Sequence, residues 1–560
     1  MNEMIARASA AQAKASDPAA SVFVSANAGT GKTKLLTDRV LRLLLSGAPA
    51  DGILCVTYTR AAAAEMRNRI FKRLANWATI PAKALGEDLE NMGIVMPSQD
   101  MRRRARSLFA EILDNDDGPR VETVHSFCQS ILRRFPIEAG VAPHVQLADD
   151  DEQSRLKAMA RTNILYHPSP ELAASVLLIA EAVSEGRADE IVNDFVNRAE
   201  GLESPDCLAR IESHFRDDLG VVSADQERDV LLARLDLIQD EKLRSVSAAL
   251  QASGSKTQSD RGAKMDVWLA QTGDGRIAKL SFLVDALFSA GKARKQLSNA
   301  DLRETVPQID AIQKQVIEII KPLLFGQAAQ ICRDRTMALY RFGMAFNQEY
   351  SRLKTQRGLL DYNDLIIRTN NLLAASEAAQ WVAWKLDNGI QHLLIDEAQD
   401  TSPAQWKLLR RLVDEFFDGE GASPYIASGA TSLPRTMFAV GDFKQSIYSF
   451  QGANPLVMNQ NRNELSSRAK AIQADFRDVP LSVSFRSASP ILDLVNKTIP
   501  ALGGIDDFTI HEMARSGAGG FVELWPVVKG NDDFGAEIIA ATQLARRVKS
   551  WIGNRRLPSG

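Results

Sequence analysis

Ala26-Asn27-Ala28-Gly29-Thr30-Gly31-Lys32-Thr33 follows the apolar run Ser21-Val22-Phe23-Val24-Ser25 and precedes a helix-like stretch from Lys34 to Leu45. Strand, glycine-containing turn, Lys-Thr and helix make the setting in which a chain cradles phosphate. Backbone N–H groups and a helix N-terminus converge there on anionic oxygens. In that setting Lys32 reaches the β- and γ-phosphates and the Thr33 hydroxyl coordinates Mg²⁺. Ala26 stands at the first glycine position of the G-x-x-x-x-G-K-[ST] pattern. Residues 26–33 are therefore candidate ligands of a nucleotide's phosphates, and the class they imply is α/β, a P-loop parallel sheet.

Such a loop needs a Mg²⁺-side carboxylate at the end of another strand. The apolar run Gln391-His392-Leu393-Leu394-Ile395 ends in Asp396-Glu397-Ala398-Gln399-Asp400. Asp396 is the candidate metal ligand, and Glu397 the group that orients or deprotonates the attacking water. A second run, Thr436 to Val440, ends in Gly441-Asp442 and continues Phe443-Lys444-Gln445-Ser446-Ile447-Tyr448-Ser449-Phe450-Gln451-Gly452-Ala453. Gln445 is placed to sense a γ-phosphate. Tyr448 and Phe450 are spaced to stack on bases, with core filling as the plain alternative.

At 560 residues the chain is too long for one core. Charged residues at 24% and hydrophobic ones at 45% are ordinary for a globular protein. A net charge of −3 means that any nucleic-acid surface is local. The four cysteines are far apart with no C-x-x-C pair, which argues against zinc or a disulfide framework and for a reducing compartment. The N-terminus has no apolar signal core and no run is long enough to span a bilayer, so a cytoplasmic location without membrane contact is expected.

Residues 1–145 alternate short β-like runs with helices, including Ile53 to Thr57 and Ala61 to Leu74. Residues 146–345 are mostly helical, with apolar helical spacing over Asp225–Leu250 and Val306–Leu324, and read as an inserted domain. Residues 346–477 return to strand grammar, and Gly419–Pro434 reads as a surface loop. Val479-Pro480-Leu481-Ser482-Val483 reads as a new strand that opens a new domain at residue 478, with a further strand at Val522–Pro526. Arg102, Arg103, Arg104 and Arg106, and likewise Arg133 and Arg134, read as solvated helix faces, with phosphate-backbone contact as the alternative.

The set resembles the superfamily 1A DNA helicases, the UvrD/Rep/RecB group. Asp396–Asp400 is similar to the D-E-x-Q-D motif, and Gly441–Ala453 to G-D-x-x-Q-S-I-Y-x-F-R-G-A. Thr57-Tyr58-Thr59-Arg60-Ala61-Ala62-Ala63-Ala64-Glu65-Met66 resembles T-F-T-N-K-A-A-x-E-M, Thr123–Phe127 resembles T-x-H-S-F, and Ser484-Phe485-Arg486-Ser487 resembles N-Y-R-S. Within the group, Ser25–Thr33, Ser449–Ala453, Asp361-Tyr362-Asn363-Asp364-Leu365 and Val522–Pro526 are most similar to helicase–nuclease subunits of the AddA type. Abundant Ala and Arg within the motifs resembles the alphaproteobacterial members. The departures are Ala26, Arg60-Ala61 for Asn-Lys, Gln451 for Arg and Ser484 for Asn.

The resemblance implies an ATP-dependent 3′→5′ DNA helicase subunit for double-strand-break repair and recombination, using ATP and Mg²⁺. The partners it implies are single-stranded DNA, duplex ends and an AddB-like protein forming a heterodimer. It also implies a RecA-like motor domain in two parts (1–145 and 346–477), a helical insertion (146–345), and the start of a second RecA-like domain (478–560). Gln12 is then the adenine reader, with Phe485 stacked on the ring. Lys32, Glu397, Gln445 and Arg486 are the catalytic set, with Arg486 stabilising transition-state charge. Tyr58, Thr59, His125, Tyr448 and Phe450 lie along single-stranded DNA. A stand-alone helicase of the same group and a degenerate nucleotide switch are the other readings.

No later helicase motif and no G-x-x-D…D-x-K nuclease constellation occurs in these residues, so an N-terminal fragment is expected. Purified residues 1–560 are therefore expected to bind ATP and single-stranded DNA weakly and to displace little or no strand from a tailed duplex. Robust strand displacement would refute this.

Overall fold

The computed structural model describes residues 2–114, 118–197, 206–220, 224–295, 300–374, 382, 389–417, 425–426, 432–447, 452–502, 510–514, 519–530 and 535–553. Two compact units result, Met1–Asp149 with Gly358–Gly560, and Asp150–Arg357.

The first unit is built on a six-stranded sheet. Its strands are β1 (Ser21–Ala26), β2 (Ile53–Thr57), β3 (Arg120–Thr123), β4 (His392–Ile395), β5 (Thr436–Gly441) and β6 (Phe476–Leu481). Their order is β6-β1-β5-β4-β2-β3 and every pairing is parallel. A sheet buried on both faces needs unbroken apolar strands, and β2, β4 and β5 are buried at every position. Successive side chains alternate between two cores. Val22, Val24, Ile53, Cys55, Phe438 and Val440 enter one, while Phe23, Leu54, Val56, Met437 and Ala439 enter the other.

Helices α2 (Lys32–Leu45), α3 (Arg60–Thr79) and α4 (Gln99–Asp114) follow α1 (Asn2–Ala15) and supply the first core with Leu36, Leu41, Trp77 and Leu108. Helices α5 (Val124–Arg134), α6 (Tyr362–Leu372) and α7 (Pro403–Val413) supply the second with Phe127, Leu365 and Trp406. Polar staples fix α2. Asp38 takes Lys34 at 2.6 Å and Arg73 at 2.7 Å, and Arg73 also holds Asp88. Arg39, fully buried, donates to the Ala20 carbonyl at 2.7 Å and to Thr436 Oγ1 at 2.8 Å, and His392 Nδ1 shares that hydroxyl. Burial pushes Arg39 down to about 9, so it remains a cation at neutral pH. It ties α2 to the entry of β1 and to the starts of β4 and β5.

Three sequence expectations change. A new domain is expected from the sequence to open at residue 478, yet β6 pairs with β1 along its whole length and sends Val479 and Leu481 into the first core. Val522–Pro526 is no strand: residues 521–530 are irregular, and Leu524 is 95% exposed. Arg104 and Arg106 neither face solvent nor await phosphate. They donate to carbonyls at the C-terminal ends of α2 and α3, namely Leu44, Ala78 and Ile80, where a cation meets the negative end of the helix dipole. Arg103 does pair in the open, with Asp100. Gly419–Pro434 lies mostly outside the described residues; within it Tyr425–Ile426 pairs antiparallel with Ser432–Leu433.

The second unit is helical around Ile309–Gln356, a 48-residue helix. Ile309, Ile312, Val316 and Ile320 of that helix pack with Val246, Leu250, Trp268 and Leu283. The Asp225–Leu250 stretch forms not one helix but two, Ala224–Leu235 and Asp240–Ala252. Ser247 donates to the Gly262 carbonyl at 2.8 Å, and a methyl on Gly262 would sit 2.7 Å from the Ser247 carbonyl oxygen. Glycine there lets the two helices meet backbone to backbone.

Trp77 is 0% exposed and its Nε1 donates to Asp88 at 2.6 Å. Trp77→Ala is expected to cost roughly 3–5 kcal/mol in urea unfolding. An unchanged midpoint would contradict the packing described.

Candidate functional site

β1 ends at Ala26, and the chain turns through residues 27–31 into α2, whose first residue is Lys32. Gly29 (φ +77°) and Gly31 (φ +91°) hold left-handed backbone that a side chain disfavours. Gly31 caps α2 without a side-chain bond. A methyl on Gly29 would lie 2.6 Å from Arg486 Cβ and 2.7 Å from Ser484 Oγ. Phe485 N–H donates to the Gly29 carbonyl at 2.8 Å, and Asn27 N–H to the Leu481 carbonyl at 3.1 Å. The segment following β6 thus braces the loop and brings Phe485 and Arg486 to it, both exposed. Gln12, 8% exposed, lies behind the loop and donates from Nε2 to the Thr30 carbonyl at 3.0 Å.

Because every strand of the sheet is parallel, the loops after β1, β4 and β5 meet at one edge. Lys32 Nζ donates to Glu397 Oε2 at 2.7 Å. Gln399, 1% exposed, donates to that same oxygen at 2.9 Å, and its Oε1 accepts the Asp442 N–H at 2.9 Å. Asp442 accepts from Gln445 Nε2 at 2.7 Å, and Lys444 Nζ returns to Asn27 Oδ1 of the phosphate loop. The contacts close a ring. Glu397 has φ 49° and ψ 47°, left-handed for a non-glycine residue, which costs about 1–2 kcal/mol. Its N–H donates to Asp396 Oδ1 at 3.0 Å. Burial, with the adjacent Glu397 charge, pushes the Asp396 carboxyl up to about 6, and Lys32 opposes the shift. Asp400 is raised by the same two causes. The Thr33 hydroxyl in the first turn of α2 and the Asp396 carboxylate are hard oxygen donors, the type that suits Mg²⁺.

Further along the same edge, β2 runs out into Tyr58-Thr59, and β3 ends at Thr123, two residues before His125. Thr59 caps α3, accepting from the Ala62 N–H, and Thr123 caps α5 through Ser126. His125 meets Tyr362 edge to face with ring centroids 5.1 Å apart. Burial, then the Arg60 charge, lowers His125 and so favours its neutral ring. Tyr448 and Phe450 lie outside the described residues.

The structure therefore brings Gln12, residues 26–33, Asp396, Glu397, Gln445, Phe485 and Arg486 to one end of the sheet edge, and Tyr58, Thr59 and His125 to the other. Gln399, Lys444 and Tyr362 stand within the motifs, but residue type and spacing give them no task. The reciprocal Asp361–Asp364 capping box that starts α6, and so sets Tyr362 beside His125, is legible as spacing alone.

A parallel sheet with a phosphate loop after β1, an acid pair after β4 and a glutamine after β5 defines the P-loop nucleotide-site class. Residues 7–466 match the family described as UvrD/REP helicase, N-terminal domain, and the chain belongs to that family. It is similar to bacterial proteins whose names describe them as the A component of an ATP-dependent helicase/nuclease. The relative from Limosilactobacillus fermentum is 27% identical over 535 residues, 85% of this chain and 35% of the relative. That from Latilactobacillus sakei is 25% identical, covering 85% and 52%. That from Enterococcus faecalis is 25% identical, covering 93% and 40%. The chain spans about a third to a half of the length of these relatives. Among the described residues, no helix is long and apolar enough to cross a membrane.

A carboxyl near 6 in the folded chain and about 3.9 when unfolded contributes stability below pH ~4 that is lost as pH rises through 6. In Mg²⁺-free buffer, Asp396→Asn is therefore expected to outlast the parent in urea at pH 8, with the gap closing below pH ~4. Parallel pH profiles would show that Asp396 is not the buried acid described.

Proposed function

We propose that the chain is the motor portion of an ATP-dependent 3′→5′ DNA helicase of the helicase–nuclease type, acting in double-strand-break repair with a partner protein. The carrying observation is the shared sheet edge, which holds Lys32, Glu397 and Gln445 at one end and Tyr58, His125 and Tyr362 at the other. A motor that moves DNA with ATP needs those two sites joined by stiff structure, and parallel strands supply it.

In this reading the first unit through Leu481 is the RecA-like motor domain, residues 150–357 are its helical insertion, and the chain after β6 begins a second RecA-like domain. Gln12 and Phe485 hold the adenine; the phosphate loop and Lys32 hold the phosphates. Thr33 and Asp396 hold Mg²⁺. Bound Mg·ATP supplies the phosphoanhydride whose hydrolysis drives translocation. Glu397, released from Lys32, accepts the proton of the attacking water, and Gln445 and Arg486 stabilise charge at the transferred group. Tyr58, Tyr362 and the His125 ring offer apolar faces to bases, and Tyr448 and Phe450 extend that row in the sequence. Thr59 serves this face as the cap that aims α3.

ATP hydrolysis measured with and without oligo(dT) tests the reading. Stimulation by DNA is expected, and Glu397→Gln should cut turnover by about 10²–10⁴ while leaving nucleotide binding in place. Hydrolysis indifferent to DNA favours a nucleotide switch instead. Tyr58→Ala should weaken oligo(dT) binding by about 1–3 kcal/mol with ATP affinity unchanged, as read by fluorescence anisotropy. Equal DNA affinity would remove Tyr58 from the DNA face.

A further inference from the structure

Lys444 sits in the short turn Phe443–Gln445 after β5, and its ammonium donates to Oδ1 of Asn27, the second residue of the phosphate loop. Asn27 is 3% exposed, so the lysine enters the loop from the neighbouring strand end instead of lying over it. The turn is anchored. Asp442 takes the Lys444 N–H on its side chain at 3.1 Å and the Gln445 N–H on its carbonyl at 2.9 Å, while its own N–H is fixed by Gln399. Gln445, the neighbouring candidate sensor, is neutral, and its amide is engaged by Asp442.

We propose that Lys444 is a second phosphate-directed cation of the nucleotide site, specific for the γ-phosphate. It exchanges the neutral amide oxygen of Asn27 for a γ-phosphate oxygen when a triphosphate occupies the loop. This rests on the reading of the loop as an ATP site. An ammonium gains more from an ionised phosphate oxygen than from an amide oxygen, and the flexible stem of lysine allows the shift without moving the anchored turn. Lys32 begins tied to Glu397, and a γ-phosphate carries more negative charge than one ammonium neutralises, so it favours a second cation from the side chain that already contacts the loop. A diphosphate lacks that group and leaves Lys444 on Asn27. The device reports ATP against ADP to the turn that leads, in sequence, to Tyr448 and Phe450.

Affinities of the 560-residue chain for Mg·AMP-PNP and Mg·ADP, by calorimetry, test this in the parent, Lys444→Met, Lys444→Gln and Lys444→Arg. Both neutral variants should lose about tenfold or more in AMP-PNP affinity with ADP affinity held within about twofold, and Lys444→Arg should recover most of the loss. The ADP affinity doubles as the check on folding. Equal losses for both nucleotides would make Lys444 a structural brace, and no loss for either would leave it without a nucleotide role; each overturns the proposal. A parent that binds neither nucleotide removes the ATP-site reading itself, whereas intact parental binding with an unaffected Met variant removes only the Lys444 assignment.

Discussion

The phosphate-loop end of the sheet edge is held together through one buried amide. Gln399 joins the end of β4 to the end of β5 by donating to Glu397 and accepting from the Asp442 backbone. Lys32 and Lys444 carry that connection back to the phosphate loop from both sides. A buried amide left unpaired is costly, so these loops are held as a set. The geometry extends to Gly441, where a methyl would lie 2.8 Å from Gln399 Oε1. The strained backbone at Glu397 is held within this same network.

The core was legible for a simple reason. Strands buried on both faces write themselves as continuous apolar runs, so β1, β2, β4 and β5 announced both their existence and their parallel pairing. The candidate site residues were legible because the chemistry of a phosphate site fixes their types and the strand ends fix their spacing. β6 was legible as a strand near Val479–Leu481 but not as a member of this sheet, because partly exposed Phe476, Arg477, Asp478 and Pro480 around buried Val479 and Leu481 are the mark of an edge strand, which a new domain could equally open with. Only the open side of β1 reveals where it belongs.

What escaped the sequence was mostly side-chain direction. An arginine run looks the same whether it meets solvent, phosphate or the last carbonyls of a neighbouring helix, and Arg104 and Arg106 do the last. Tyr362 and His125 lie far apart in the chain, and their meeting depends on how α5 and α6 start. Lys444 stands beside the glutamine that the chemistry singles out, and nothing in spacing says that it reaches from the end of β5 to the loop after the neighbouring β1.

The pairing of β6 with β1 has a consequence for how the molecule is made. The strand that carries the phosphate loop gains its two neighbours only from β5 and β6. A ribosome adding about 5–20 residues per second leaves Ser21–Ala26 without a sheet partner for roughly 20–80 s, until β5 is made. Throughout that interval an apolar strand emerges with nothing to pair with, while the helical unit between can already form from its own local contacts. Such a chain invites chaperone attendance early in synthesis, and the helical insertion doubles as a delay between the first strand of the sheet and the last.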